Sequence, residues 1–170
     1  MRAVAISGSP TSPSKSKALA ELALAALAND GFETQLIDLA TLPAEPLLVR
    51  GSDAAIDNAI SAVGEASVLV AATPTYRALY TGLLKCFFDL MPQRHLAGKA
   101  CVGLQTAAAP EHALAVEYGL PLLFRSLDGT PMPGVFATDE EFEEGRPGSE
   151  LVARVEAAAR SAGRVARASS

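Results

Sequence analysis

The run Val68-Leu69-Val70-Ala71-Ala72-Thr73-Pro74-Thr75-Tyr76-Arg77-Ala78-Leu79-Tyr80-Thr81-Gly82-Leu83-Leu84-Lys85 reads as strand, loop and helix. Its first five residues are all apolar, the pattern of a strand buried on both faces of a parallel sheet. The loop that follows joins a proline, two tyrosines and an arginine. Pro74 fixes its own φ and biases Thr73 toward an extended conformation, so the backbone N–H groups of Thr75, Tyr76 and Arg77 are expected to point outward from a preset curve. Donors arranged in this way suit a flat ring with several acceptors.

The same alternation extends in both directions. Residues 2–7 form a short apolar strand, and Ala18, Leu19, Leu22, Ala23, Ala26 and Leu27 then recur at helical spacing until Asn29-Asp30-Gly31 signals a helix end. Residues 32–39 offer a second strand and 53–64 a helix, and the helix after the central loop runs from about 81 to 90, where Pro92 stops it. A fourth strand at 99–105, a fourth helix from 111 to about 127 with Pro121 inside it, and a fifth strand at 133–138 follow. Leu151, Val155, Ala158, Ala159, Ala162 and Val165 share one face of a last helix. Five βα units imply a parallel sheet with right-handed crossovers and helices on both faces.

Two strand orders are common for such a sheet. The dinucleotide-binding order calls for G-x-G-x-x-G after the first strand, where this chain has Gly8-Ser9-Pro10-Thr11-Ser12-Pro13. The expected fold is therefore α/β and flavodoxin-like, a three-layer sandwich on a five-stranded parallel sheet of order 2-1-3-4-5. In that order the loops after strands one and three flank the topological switch point and converge from distant parts of the sequence.

Composition narrows the function. At 170 residues, 49% hydrophobic and 19% charged, the chain suits one compact domain spanning 1–170 rather than a disordered segment. A net charge of −5, without a basic stripe, argues against nucleic acid. No apolar run approaches a membrane span, and the N-terminus turns polar too soon for a secretory signal, so a cytoplasmic protein is expected. Cys86 and Cys101 lack CxxC spacing or a nearby His/Cys set and read as reduced core thiols, with no metal site.

The first loop is rich in hydroxyls. Ser9, Thr11, Ser12, Ser14 and Ser16 stand immediately before a helix N-terminus, where unpaired N–H groups and the positive dipole end favour an anion. Any one serine there can be a simple helix cap. Five hydroxyls in eight residues point instead to a phosphate, and the absence of Gly-Lys-Ser/Thr argues against a triphosphate or magnesium. A phosphate at loop one and a ring at loop three together describe flavin mononucleotide.

These residues carry a resemblance. Gly8-Ser9-Pro10 through Ser16, the run from Thr73 to Lys85, and Leu104-Gln105-Thr106 followed by His112 resemble the NAD(P)H-dependent FMN reductase family. More narrowly, they resemble the reductases of two-component alkanesulfonate and methanesulfonate monooxygenase systems. The resemblance implies FMN and NAD(P)H as cofactors, with hydride passing from nicotinamide C4 to flavin N5, no catalytic acid or base, and reduced flavin passed to a flavin-dependent monooxygenase or to oxygen. It implies that Ser9, Thr11, Ser14 and Ser16 hold the FMN phosphate, that Pro74, Thr75, Tyr76 and Arg77 line the isoalloxazine, and that residues 106–109, with Thr106, Ala107 and Ala108, make a third contact. Relatives often carry paired glycines where this chain has Ala107 and Ala108, and a methyl there is unfavourable if the position needs φ > 0. The run from His112 to Pro121 resembles the segment where sulfonate-type reductases carry a π-bulge at a subunit interface, which would put Tyr118 at an interface or flavin-release position. Pro121 cannot donate to the carbonyl of Glu117, so local distortion is expected there on physical grounds as well.

Other residues read more plainly. Arg77 is taken as a site residue because it lies inside the loop, with a surface ion pair as the alternative. His95 and His112 lack the partners of a hydrolase. The acidic run Asp139 to Glu144 reads as a solvated loop. Leu83, Leu84, Phe87, Phe88 and Leu90 exceed what one helix face needs, an excess that can cover the core and that also suits the interface of a homodimer or homotetramer. The competing functions are a flavoprotein with tightly bound FMN that reduces quinones, azo compounds or metal oxyanions, and a flavodoxin-like electron carrier.

Overall fold

The computed structural model describes residues 1–169; Ser170 lies outside the described residues. Strands β1 (Arg2–Ser7), β2 (Glu33–Asp38), β3 (Val68–Pro74) and β4 (Ala100–Ala107) lie parallel in the order β2-β1-β3-β4. The position beyond β4 is filled by two short segments, β5 (Thr130–Pro131) and β6 (Val135–Thr138), both parallel to β4. The expected flavodoxin-like order 2-1-3-4-5 therefore holds, with its fifth strand split. Cys101 pairs with Pro131 and Leu104 with Val135, so the outer strand carries one extra residue over that stretch, a bulge.

Alternation along each strand builds two cores. Ala3, Ala5, Val68, Val70, Ala72, Val102 and Leu104 face α1 (Lys15–Asn29) and α6 (Ser149–Ala168). Val4, Ile6, Leu69, Ala71 and Cys101 face the other layer, formed by the short α2 (Ala44–Leu47), α3 (Ala54–Glu65), α4 (Gly82–Asp89) and α5 (Leu120–Arg125). Alanines dominate the first contact on both sides, with Ala20, Ala23, Ala159 and Ala162 buried on the helices. Small side chains let these helices seat close to the sheet.

The fourth helical segment, expected over 111 to about 127 with a distortion ahead of Pro121, is distorted there and broken into three short pieces. A 3₁₀ turn at Pro110–His112 leads into a π-helical turn at Ala115–Gly119, and only Leu120–Arg125 is regular α-helix. Pro121 has no N–H for the ladder, and the widened turn lies just before it. The acidic run is also structured. Asp139–Glu141 is a 3₁₀ turn closed by a capping box from Thr138, and β7 (Phe142–Glu143) pairs antiparallel with β8 (Arg146–Pro147). Glu144 and Gly145 turn that hairpin with φ of 49° and 79°, and Phe142 is buried against the α1/α6 core.

Among the described residues no helix is long and apolar enough to cross a membrane, and no group of three His, Cys, Asp or Glu side chains could hold a metal ion. Cys101 is fully buried and burial pushes its thiol from 9.0 up to about 12. The unfolded chain loses that proton first, so its contribution is intact below pH 9 and is lost between about 9 and 12, on the order of 4 kcal/mol in all. Lys99, whose ammonium burial holds below its ordinary 10.5, acts in the opposite sense in alkali. Denaturant unfolding from pH 8 to 11 should therefore show a fall in stability that is reduced in Cys101→Ala; parallel pH profiles for the two proteins would refute it.

Candidate active site

The two loops beside the switch point are tied together by backbone and hydroxyl bonds. Gly8 N–H donates to Ala72 O at 2.7 Å, and the Thr81 hydroxyl donates to Gly8 O at 2.6 Å. The same Thr81 oxygen accepts from Leu84 N–H at 3.1 Å and so caps α4, while Thr81 N–H donates to the Thr73 hydroxyl at 3.1 Å. A Cβ on Gly8 would lie 2.9 Å from the Leu84 Cβ, so a glycine is needed for the first loop to run this close to α4.

Between these loops opens a cavity of about 430 Å³, within the range of small-molecule sites, roughly 300–1,000 Å³. One wall is the hydroxyl loop: Ser9, Thr11, Ser14 and Ser16 all line it. Ser9 and Ser16 are buried. Ser9 Oγ donates to Thr11 O at 3.1 Å, and Ser14 Oγ caps α1 by accepting from Lys17 N–H at 3.2 Å and meets Ser16 Oγ at 3.1 Å. The N–H groups of Lys15 and Ser16, at the start of a 15-residue helix, have no hydrogen-bond partner among the described residues. Hydroxyls, free N–H groups and a positive dipole end make a donor set that fits a phosphate.

The opposite wall comes from Pro74, Thr75 and Tyr76, completed by Thr106, Ala107 and Ala108 at the end of β4. Here the sequence-based expectation needs correction. Thr75 N–H is spent on Thr106 O at 2.7 Å, and Tyr76 N–H on Leu79 O at 2.8 Å, so of the three expected outward donors only that of Arg77 is left free among the described residues. Arg77 and Ala78, with φ of 51° and 72°, form a tight two-residue turn closed by the Tyr76–Leu79 pair. This turn lifts Arg77 to an exposed tip, outside the residues that line the cavity and without an ion pair among the described residues. Gln105, fully buried, donates from Nε2 to Thr75 Oγ at 3.0 Å and fixes the loop to β4. Neither Ala107 nor Ala108 has a positive φ, so the methyls cause no backbone strain.

Tyr118 is 70% exposed on the π-helical turn and does not line the cavity. The turn still touches loop three: a Cβ on Gly119 would lie 2.8 Å from the Leu79 Cδ2. Sequence reasoning missed Lys15 and Asp139, which line the cavity and form an ion pair at 2.9 Å. A signal for both was present, since Lys15 stands between two candidate serines and Asp139 directly follows the fifth strand, whose C-terminal end shares an edge with loops one and three. A groove of about 410 Å³ between β6 and α6 lacks such convergence; its one charged group, Arg154, is engaged by Phe136 O at 2.6 Å and by Glu141 at 2.9 Å.

Residues 1–143 match the family described as NADPH-dependent FMN reductase. The chain belongs to that family. This family member is 36% identical over 143 residues to the FMN reductase (NADPH) of Escherichia coli (strain K12), which covers 83% of this chain and 75% of that one. It is 36% identical over 166 residues to the NADH-dependent FMN reductase SfnE of Pseudomonas putida, covering 94% and 89%. The apo crystal structure of the NADH:FMN oxidoreductase EMOB matches it with a TM-score of 0.87 at 35% identity, over 98% of this chain and 89% of that one.

Thr81 joins the two loops, so Thr81→Val should destabilise the fold by about 1–3 kcal/mol through a lost cap and an unpaired Gly8 carbonyl. Chemical denaturation reads this directly, and a loss under about 0.5 kcal/mol would show that the loops are held by other contacts.

Proposed function

We propose that this FMN reductase-family protein binds FMN in the cavity between its first and third loops, catalyses hydride transfer to it from NAD(P)H, and supplies reduced flavin to a partner monooxygenase. The observation that carries the reading is the convergence of a hydroxyl-rich helix N-terminus and the Pro74–Tyr76 loop on one cavity in a member of this family. When bound, FMN supplies the hydride-accepting ring. Ser9, Thr11, Ser14, Ser16 and the free N–H groups of Lys15 and Ser16 would hold its phosphate. Pro74, Thr75, Tyr76, Thr106, Ala107 and Ala108 would wall its ring, with Pro74 and the two alanine methyls excluding water. The chain's contribution is orientation and a shaped, partly desolvated site, and no side chain need act as acid or base. The relatives bear both NADPH and NADH in their names, and both donors belong in the assay.

Steady-state NADPH and NADH oxidation should saturate with added free FMN; activity independent of added flavin would point to a permanently bound cofactor and a different acceptor. Ser9→Asp with Ser14→Asp should weaken FMN binding by about 100-fold or more, since both place negative charge against the phosphate. Unchanged affinity in a flavin titration would displace the phosphate from this loop.

We further read the chain as one flavodoxin-like domain over 1–170, working in the cytoplasm, where its two unpaired cysteines stay reduced. The outer face of the fourth helical segment supports self-association as a homodimer or homotetramer: Leu114, Tyr118 and Leu122 are exposed large apolar side chains within nine residues, Leu122 at 71%. Light scattering of Tyr118→Glu with Leu122→Glu should show a smaller species than the parent; an unchanged mass places the interface elsewhere.

A further inference from the structure

One charged pair stands at the rim of the cavity. Lys15 opens α1 between Ser14 and Ser16, and its ammonium lies 2.9 Å from an Asp139 carboxylate oxygen and 5.3 Å from the centre of the Phe142 ring. Both members of the pair line the cavity together with Ser9, Ser14 and Ser16. Asp139 is firmly placed. Thr138, just before it, pairs with Ala107 of β4 and donates its N–H to Glu141 at 2.8 Å, and Arg154 grips the same Glu141 carboxylate at 2.9 Å. The backbone of Asp139 is therefore set at the C-terminal end of a sheet strand, beside the wall that Ala107 and Ala108 provide, and its carboxylate is turned to Lys15.

Its charge has the wrong sign for its surroundings. No other described residue that lines the cavity is acidic, and the hydroxyl loop beside it opens a helix whose positive end suits an anion. As a device for stability the pair does little: its side chains are 35% and 51% exposed, and pairs of that kind contribute about 0–1 kcal/mol. Its effect falls on the site. An anion entering the hydroxyl loop must draw Lys15 away from Asp139 or share it, and meets a neighbouring negative charge in either case.

We propose that Asp139 sets flavin affinity by competing with the FMN phosphate for Lys15, which keeps the flavin exchangeable instead of permanently held. This rests on the placement of the phosphate in residues 9–16 argued above. Lys15 is then a phosphate-binding residue whose charge is partly cancelled by its neighbour, and the carboxylate is a built-in weakening of the site.

The test compares FMN with riboflavin, which has the same ring and no phosphate. Each is titrated by flavin fluorescence into the parent protein, Asp139→Asn and Lys15→Gln, with thermal unfolding of each variant followed in parallel. Asp139→Asn should lower the Kd for FMN about tenfold and leave riboflavin unchanged, and Lys15→Gln should raise the Kd for FMN by a similar factor. Should the Asn variant fold poorly, Asp139→Ser carries the same expectation. Unchanged or weaker FMN binding without the carboxylate, or an equal change for both flavins, overturns the competition while leaving the site reading in place. A parent protein that binds riboflavin as tightly as FMN removes the phosphate placement itself, and the competition with it.

Discussion

The hydroxyl of Thr81 is the contact on which the rest of the site depends. It donates to the carbonyl of Gly8 and accepts from the N–H of Leu84, so one buried oxygen closes the first turn of α4 and holds the loop after β1 against it. Residues 73 positions apart in sequence are thereby set at hydrogen-bond distance in a place shielded from water. There the alternative to pairing is an orphaned carbonyl, and desolvation makes that costly. Strand order brings the two loops to the same edge; this bond sets their spacing, and the spacing defines the cavity.

The sheet beneath supports that arrangement with unusually small side chains. Ala3 and Ala5 on β1 and Ala72 on β3 face α1, where Ala20 and Ala23 lie above them, and Ala71 leaves the same small surface on the other face of β3. Because α1 is the crossover helix that starts after the C-terminal end of β1, its N-terminus lies at the strand ends, where the loops meet. The free N–H groups of Lys15 and Ser16 consequently face the cavity from a rigid base, and the donors need little reorganisation when an anion arrives.

Much of this was legible in the sequence, for identifiable reasons. Strands buried on both faces, such as 68–72, carry continuous apolar runs; a helix start crowded with hydroxyls carries its own chemistry; and the missing second glycine after β1 excludes the rival strand order. What was not legible depended on tertiary pairing. The N–H groups of Thr75 and Tyr76 are consumed by partners 31 residues away on β4 and three residues ahead on the same turn, and nothing local to Pro74 announces either. Arg77 fell outside the cavity because it and Ala78 take a left-handed turn without glycine, which propensity disfavours. Asp139 looked like one acid among several, and only the pairing of Thr138 with Ala107 distinguishes it from its neighbours.

The widened turn at Ala115–Gly119 has an effect on angular phase. An α-helix advances each residue by about 100°, so one surplus residue rotates everything on one side of it by that amount relative to the other. Here Leu120, Leu123 and Phe124 still meet the sheet beyond the turn, while Tyr118 and Leu122 are left facing outward. Gain or loss of a single codon in this segment therefore acts as a rotary adjustment: it can exchange which stripe of side chains a neighbouring molecule encounters while the buried registry of the sheet-side half stays as it was.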